Sequence, residues 1–280
     1  MFSEARLLER VARRVREYVE AASPWEPIWR SHGDSWEQAI ARGRYSDRHI
    51  LDEVRDATRA VTTGHAAYAR DGVTFDAIQY SWPVLATLLK AATDAGRPIH
   101  VVDFGGGLGT SYHQNKAFAG SAIGSWHIVE QPAFVDCGNA EFADATLRFF
   151  HSLGEAVANQ PPDLVLASCV LQYLAEPYAT LNALCDLHAP TVVLDLLAVT
   201  GDPADRLTLQ HLPTGTGWQP AYPTWFFSAA QFVARIPEDY QVLAQFNGYI
   251  GDRLWVDDQP KGRYIGLILQ RAESAPSKGL

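Results

Sequence analysis

The chain has 280 residues, with 23 Lys and Arg against 32 Asp and Glu, which gives a formal net charge of −9. This length fits one large domain or a core with an accessory lobe. The acidic balance argues against a nucleic-acid partner, because neutralising phosphates needs a basic face. A hydrophobic share of 47% is typical of a globular protein, and apolar runs such as 163–174 are too short to span a bilayer. We therefore expect neither a nucleic-acid nor a membrane partner.

The three cysteines, Cys137, Cys169 and Cys185, have no CxxC spacing. This pattern gives little support to a disulfide scaffold or a metal site, so we expect no metal. The first twenty residues mix arginine and glutamate at helical spacing, unlike a secretory signal. The sequence therefore predicts a cytoplasmic enzyme.

Residues 1–95 are predicted to form a helical lobe that acts as a lid or substrate lobe. No alternation of apolar and polar residues in this part indicates a strand. Pro83 interrupts or restarts the last predicted helix, and Trp25, Trp29 and Trp36 need a surface on which to pack. The predicted helices cover residues 3–22, 48–61 and 75–95.

Residues 96–271 are predicted to form an α/β core, with 272–280 as a flexible tail. Short apolar runs alternate with helix-like segments, which implies a mostly parallel sheet with helices on both faces. The predicted strands are 99–103, 126–130, 147–150, 163–168, 191–196 and 264–269, and the predicted helices are 110–118, 134–142, 154–158 and 178–187.

A glycine turn follows the first predicted strand. Asp103 ends this strand, and Gly105, Gly107 and Gly109 leave backbone amides bare at its carboxyl end. In an open α/β sheet this is the ligand-binding edge, and a side chain there would block close approach. Glu130 ends the second strand, so the sequence predicts two carboxylates beside the turn.

Two ligand classes compete for this turn. Nicotinamide dinucleotides favour GxGxxG, but the last glycine position is occupied by Thr110. S-adenosylmethionine (SAM) carries no phosphate and needs an acidic group near its ammonium and a carboxylate for its ribose. Asp103 and Glu130 supply these two groups, so SAM is favoured over a dinucleotide or a turn without a ligand.

Polar residues follow two further strands. Ser168, Gln172 and Tyr173 come at the end of the fourth strand, where we expect the reactive end of the ligand. Ser152 follows the third strand, where an adenine edge would lie. An equally good interpretation makes Ser152 a helix N-cap, with Glu155 three residues later.

Seven segments extend the pattern over about residues 25–270. They read AYARD at 67–71, FDAIQYSWP at 75–83, DFGGGLGTSY at 103–112, VEQP at 129–132, VLQYL at 170–174, DRLT at 205–208 and YPTWFFS at 222–228. With these segments the chain resembles a bacterial family of class I SAM-dependent methyltransferases whose substrates are mostly unassigned. The resemblance implies a seven-stranded, mostly parallel Rossmann-like sheet with an antiparallel last hairpin, under an N-terminal helical lobe.

The resemblance also implies residue roles. Asp103, Gly105 and Gly107 would hold the methionine part of SAM, and Glu130 would hold the ribose. The family usually reads Asp-Arg-Thr after the fifth strand, whereas this chain has Asp195, Leu196 and Leu197. This departure predicts a more apolar or differently shaped acceptor site.

Catalytic candidates are Tyr173, Gln172 and Asp195, of which the first two would orient the sulfonium end. His113 and His211 are further candidate proton acceptors, although most histidines of this kind are structural. Cofactor candidates also include Ser152 and Ser168.

Arg70, Tyr80 and Arg206 are the substrate candidates, because they lie in the aromatic-rich segments that flank the core and could close the pocket. The two arginines are the more informative, because a guanidinium beside aromatic rings is costly to bury without a partner. We expect one of the two arginines to bind a carboxylate of SAM or of the substrate.

Three functions remain open from the sequence. The favoured one is methyl transfer to a small-molecule biosynthetic intermediate. The second is SAM cyclisation, in which the amine of SAM attacks its own chain to give azetidine-2-carboxylate and methylthioadenosine. The third is a SAM-binding subunit without catalysis. The sequence names neither the acceptor nor the oligomeric state.

Overall fold

The computed structural model describes residues 29–31, 35–42, 47–211, 221–250 and 253–272, which form a mixed α/β fold. The strands are β1 (Trp29–Ser31), β2 (Tyr68–Arg70), β3 (Val73–Phe75), β4 (Ile99–Phe104), β5 (Ile123–Val129), β6 (Leu147–Phe150), β7 (Leu164–Ser168), β8 (Thr191–Thr200), β9 (Arg206–His211), β10 (Ala221–Ser228), β11 (Tyr240–Asn247), β12 (Leu254–Val256) and β13 (Gln259–Arg271). The α-helices are α1 (Trp36–Arg42), α2 (Asp47–Thr62), α3 (Trp82–Ala95), α4 (Thr110–Ala119), α5 (Pro132–Glu141), α6 (Leu153–Val157), α7 (Pro177–Cys185) and α8 (Ala229–Ala234). Short 3-10 turns cover Gly120–Ala122 and Leu171–Tyr173.

Five parallel strands form the part of the sheet that we call the parallel half. They are arranged in the order β6, β5, β4, β7, β8. Next to β8 lies β13, which is antiparallel to it, and β11 pairs antiparallel with β13 at the sheet edge. The prediction of an α/β core is therefore confirmed, and the core is a mixed α/β structure.

The predicted count of seven strands is wrong, because the described residues already form a sheet of eleven. The additional strands close a ring of pairings that runs through β8, β10, β9, β1, β12 and β13 and returns to β8. We call these six strands the strand circuit. Its interior holds an apolar cluster that includes Trp29, Leu196, Phe226 and Tyr264. Two of the extra strands, β1 and β12, have only three residues each, so local periodicity does not reveal them.

Helices cover both faces of the parallel half, which explains why its strands are continuously apolar. Side chains of α3, α4 and α5 form one buried cluster with the sheet. Side chains of α6, α7 and α8 form the cluster on the other face. Every residue of β8 is buried, because this strand belongs to the parallel half and to the strand circuit at once.

The N-terminal region contains more than helices. The helix predicted for 48–61 is confirmed as α2, but the one predicted for 75–95 begins only at Trp82, with Pro83 in its first turn. The segment 68–75 is a β-hairpin, and β1 pairs with strands of the core sheet. The expectation of an all-helical region is thus wrong for β1, β2 and β3. The helix predicted for 3–22 lies outside the described residues, as does nearly all of the predicted tail.

Two tryptophans of the N-terminal region find the packing surfaces that the sequence requires. Trp36 stacks on Trp225, with ring centroids 6.1 Å apart, and Trp29 meets the edge of Phe226 at 5.6 Å. Both contacts lie on β10 of the strand circuit. The division into a 1–95 lobe and a 96–271 core remains a prediction.

Candidate functional site

The glycine turn adopts the conformation that its composition requires. Gly105 and Gly107 have φ angles of +73° and +58°, in the left-handed region that favours glycine. A Cβ on Gly105 would overlap the Val170 side chain, whereas one on Gly107 would meet no atom within 4 Å. The turn is therefore tightly packed beneath Gly105 and open above Gly107.

Asp103 lies buried beneath this turn. Its Oδ2 accepts a hydrogen bond from Trp126 Nε1 at 3.0 Å, and its Oδ1 has no hydrogen-bond partner among the described residues. A Cβ on Gly106 would stand 2.5 Å from Oδ2, so the turn covers the carboxyl closely. Burial raises the pKa of Asp103 to about 7, and the Glu130 carboxyl contributes to this shift.

The expectation that Asp103 holds the methionine part of SAM remains a prediction. The side chain has no exposed surface, because Gly106 and Trp126 enclose it. In this arrangement the Asp103 carboxyl lies directly beneath the turn and contacts its backbone. Trp126 is a site residue that the sequence analysis missed. The sequence feature that could have identified it is a tryptophan on a buried strand, because a buried indole N–H needs a hydrogen-bond acceptor.

Glu130 is held at the opposite side of the turn. Its Oε1 accepts a hydrogen bond from the Gly107 amide at 3.2 Å, and its Oε2 accepts one from the Gln131 amide at 2.7 Å. Burial raises its pKa, while the two amides lower it. The turn is thus flanked by two carboxyls, an arrangement that disfavours an anionic ligand.

A second pair of polar groups lies where the pairing of β7 with β8 ends. Ser168 and Asp195 are paired in the strand register, and Ser168 Oγ donates to Asp195 Oδ2 at 3.2 Å. Asp195 is only 3% exposed, and its Oδ1 has no hydrogen-bond partner in the described part of the chain. Burial raises its pKa to about 6, against the lowering effect of the Ser168 and Ser81 hydroxyls.

Gln172 and Tyr173 lie in the 3-10 turn after β7. Gln172 is fully buried, and its Nε2 donates to the Leu196 carbonyl at 3.0 Å. Tyr173 donates to Gln210 Oε1 at 2.9 Å. Gln172 thus ties the 3-10 turn to β8, and Tyr173 connects this turn with the strand circuit, while their roles at the sulfonium remain predictions.

The leucines that replace Arg-Thr after Asp195 are buried. Leu196 has a φ angle of +52° and packs in the interior of the strand circuit. Leu197 lies in the cluster on the α7 side of the sheet. These leucines fill the core, so the apolar character expected for the acceptor site is not supplied by their side chains.

Arg70 is the last residue of β2 in the hairpin. Its Nη1 donates to Gln79 Oε1 at 2.7 Å, and its Cζ stands 5.3 Å and 5.9 Å from the ring centroids of Phe75 and Tyr249. The Tyr249 and Tyr68 hydroxyls share a hydrogen bond at 3.2 Å. Tyr249 is a second site residue that the sequence analysis missed, because residues 248–250 fall in no predicted element.

Arg206 does not share this environment. Its Nη2 donates to Asp202 at 2.6 Å and its Nη1 to Ser31 Oγ at 2.9 Å, with Asp257 3.6 Å away. It lies four residues from Gln210 along β9, or about 13 Å. Its guanidinium joins β9 to β1 in the strand circuit, so the expected role in substrate binding is not supported.

Two further candidates have other partners. Tyr80 packs against the exposed rings of Trp82 and Phe118, with centroids 4.8 Å and 6.0 Å away. Ser152 is the N-cap of α6 and accepts a hydrogen bond from the Glu155 amide at 3.3 Å, which confirms the capping interpretation. Their roles toward substrate and adenine remain predictions without support from these contacts.

The two histidine candidates, His113 and His211, lie in different elements, α4 and β9. Burial lowers the pKa of His113 to about 4, so its ring is neutral at physiological pH and packs against Tyr112. His211 ends β9. Within the described ranges no group of three or more His, Cys, Asp or Glu residues could hold a metal ion, and no helix there is long and apolar enough to cross a membrane.

The fold is similar to those of solved SAM-dependent methyltransferases at low sequence identity. One, from Clostridium acetobutylicum, is 7% identical over 68% of this chain and 91% of its own, with a TM-score of 0.45. The Burkholderia thailandensis 1,6-didemethyltoxoflavin-N1-methyltransferase is 15% identical over 82% and 92%, with a TM-score of 0.40. An amino pentose methyltransferase from Micromonospora echinaspora, bound to SAM, is 14% identical over 86% and 100%, with a TM-score of 0.44. No protein-family model and no curated protein matches the chain.

Proposed function

We propose that this protein is a SAM-dependent methyltransferase that acts on a small-molecule biosynthetic intermediate. The observation that carries the proposal is the pair of carboxyls, Asp103 and Glu130, on either side of a glycine turn at the carboxyl end of parallel strands. A ligand at this edge meets negative charge and carboxyl oxygens that can accept hydrogen bonds. SAM satisfies both, since it has a cationic end and a ribose whose hydroxyls donate hydrogen bonds.

A dinucleotide fits this edge less well. Its pyrophosphate would approach the turn between two carboxyls, and like charges repel strongly where burial lowers the effective dielectric constant. A ligand that brings positive charge would also favour the ionised form of Asp103, whose pKa is raised by burial. Glu130 offers acceptor oxygens whose orientation is fixed by the Gly107 and Gln131 amides.

When bound, SAM supplies an electrophilic methyl group on a sulfonium. The residues of this chain would position the acceptor, exclude water and take up a proton. Asp195 is the best-placed proton acceptor, because its raised pKa of about 6 lies near neutral pH. Tyr173, Tyr249 and Tyr264 would enclose the reacting groups, and their rings favour a cationic sulfonium.

Product analysis tests this function directly. The purified protein is incubated with SAM alone and then with candidate acceptors, and the nucleoside product is identified. S-adenosylhomocysteine (SAH) that forms only with an acceptor supports methyl transfer. Methylthioadenosine formed from SAM alone would instead identify the cyclase, and SAM binding without any product would identify a binding subunit.

A further inference from the structure

The two edges of the eleven-stranded sheet differ in length and in charge. One edge is β6, which has four residues and carries the exposed charge of Arg148. The other is β11, which has eight residues and contains neither a charged residue nor a proline. Natural proteins usually protect an edge strand by a charge, a proline or a short length, because its unpaired backbone groups can bind another strand. The edge at β6 is protected in this way, whereas the edge at β11 is not.

Apolar side chains are exposed on β11. Val242 is 37% exposed and Leu243 is 50% exposed. A β-bulge that follows Val242 leaves Leu243 without a partner on β13, and this residue lines a groove of about 200 Å³. Pro83 and Ala86 of α3 and Ile268 of β13 also line the groove. An apolar groove thus lies beside the unpaired edge.

The bulge affects only part of this edge. A bulge can itself discourage pairing, but residues 244–247 beyond it pair in regular register with residues 265–268 of β13. In an antiparallel pair every second residue directs its N–H and C=O away from the neighbouring strand. No strand among the described residues pairs with the outer side of β11. This run can therefore accept a further strand.

The charge distribution favours a second copy of this chain as the partner. Each copy has a net charge of −9, so two copies repel each other in most orientations. Neither β11 nor the groove lining contains an Asp or Glu residue. The charged residue of the lining, Lys90, is already paired with Asp94. Two copies can thus meet at this face with little repulsion between carboxylates.

The residues before β11 favour an antiparallel arrangement of the two copies. Glu238 and Asp239 directly precede the strand, so a parallel pair would bring the carboxylates of both copies together. In an antiparallel pair they lie at opposite ends of an eight-residue strand, about 27 Å apart. This distance exceeds the screening length of about 8 Å at physiological salt. A strand paired antiparallel with its own copy also forms a symmetric contact, in which both copies use the same surface.

We infer that the protein forms a homodimer in which β11 pairs antiparallel with β11 of a second copy. The sheet then continues across a two-fold axis, and the exposed side chains of Val242 and Leu243 are covered. This inference is independent of the proposed chemistry. The strand β4, which leads into the glycine turn, lies four strands or about 19 Å from β11, so the contact does not cover the turn.

Analytical ultracentrifugation of the full chain over a range of concentrations tests the dimer. We expect twice the mass of one chain. Leu243→Lys should raise the concentration at the monomer–dimer midpoint at least tenfold, because dimerisation would then bury lysine side chains. Ile40→Lys is the matched control, since Ile40 is an aliphatic residue of α1 that is 54% exposed, and it should leave the midpoint unchanged. Circular dichroism verifies the folding of both variants.

Hydrogen exchange of the wild-type chain locates the contact without a substitution. The outward amides of β11 should exchange at least tenfold more slowly at concentrations above the midpoint than at concentrations below it. The amides of β6 should exchange at the same rate in both samples, because that edge stays free. The two edges of one sheet therefore serve as test and control in the same measurement. This result decides the question even if Leu243→Lys does not fold.

Four results would overturn the inference. The first is a wild-type chain that stays monomeric at the highest soluble concentration. The second is a monomer whose β11 amides are protected at every concentration, which would mean that another part of the same chain covers the edge. The third is a dimer whose midpoint is the same in Leu243→Lys and Ile40→Lys. The fourth is a dimer whose concentration-dependent protection lies outside β11, which would assign the contact to another face.

Discussion

The parallel half and the strand circuit share one strand, β8, but they contribute different kinds of group to the site. The parallel half supplies Asp103, the glycine turn and Glu130, all at strand ends that are consecutive in sequence. The strand circuit supplies Tyr264 and Gln210, which reach the site by contacts with Tyr173. The features suited to SAM thus come from local βα units, and those suited to an acceptor come from long-range pairings.

This division means that each region can be disturbed by itself. Substitutions in the parallel half should change SAM binding, whereas substitutions in the strand circuit away from the site should change stability alone. Asp195 lies on the shared strand β8 and is the proposed proton acceptor, so its substitution should affect the chemical step. The predictions below follow from this comparison.

Gly105→Ala should abolish measurable SAM binding. The new Cβ would overlap Val170, and the φ angle of +73° is unfavourable for alanine. Gly64→Ala is the matched control, because Gly64 has a φ angle of +78° and no atom within 4 Å of the added Cβ. Calorimetric titration with SAM compares the two variants, and equal affinities would show that the turn is not the ligand edge.

Asp195→Asn should lower turnover by about a hundredfold or more, in the range typical of a lost general base. The amide keeps the shape of the side chain but accepts no proton at neutral pH. SAM affinity should stay within a few-fold of the wild-type value. A variant with unchanged turnover under single-turnover conditions would remove Asp195 from the chemistry.

SAM affinity should rise with pH between about 6 and 8. Asp103, with a pKa of about 7, is largely protonated at pH 6, and a nearby ligand cation favours its ionised form. Binding below the pKa must therefore release a proton, which weakens affinity by at most about tenfold per pH unit. Above pH 8 the affinity should level off. A flat profile measured by calorimetry would contradict this coupling.

Trp126→Phe should move the pH midpoint of SAM binding upward. The indole hydrogen bond lowers the pKa of Asp103, and phenylalanine removes the donor while keeping an apolar ring. The loss should also reduce the free energy of unfolding by about 1–3 kcal/mol. Denaturant titration measures the second effect, and an unchanged midpoint would show that the bond does not set the Asp103 pKa.

Arg206→Gln should have the smallest effect. It removes the link between β9 and β1 and should lower the free energy of unfolding by less than about 1 kcal/mol, since the pair with Asp202 is partly exposed. SAM affinity and turnover should remain within twofold of the wild-type values. A larger loss of turnover would return Arg206 to the substrate site.

The sequence predicts the parallel half well because each strand is a continuous apolar run that ends in a polar residue. Asp103, Glu130 and Ser168 occupy such ends, whereas Asp195 lies within β8, which continues to Thr200. The strand circuit is harder to predict, since β1 pairs with β12 across more than 200 residues and three residues carry no reliable periodicity.

The remaining differences between prediction and structure concern burial and hydrogen-bond partners, which a sequence motif does not reveal. A motif predicts that Gln172 and Asp103 lie near the ligand edge, but it does not reveal that both are fully covered by their neighbours. On sequence alone, Arg70 and Arg206 are equally good candidates to bind a carboxylate. Only their partners distinguish them, because Asp202 and Ser31 occupy the second guanidinium and a neutral glutamine occupies the first.

Titration of the wild-type chain with SAM and, separately, with NAD⁺ tests the central claim most directly. Two carboxyls beside the glycine turn predict that one SAM binds per chain and that NAD⁺ produces no saturable heat. Saturable binding of NAD⁺ without binding of SAM would contradict the assignment of this edge to a cationic ligand that carries no phosphate.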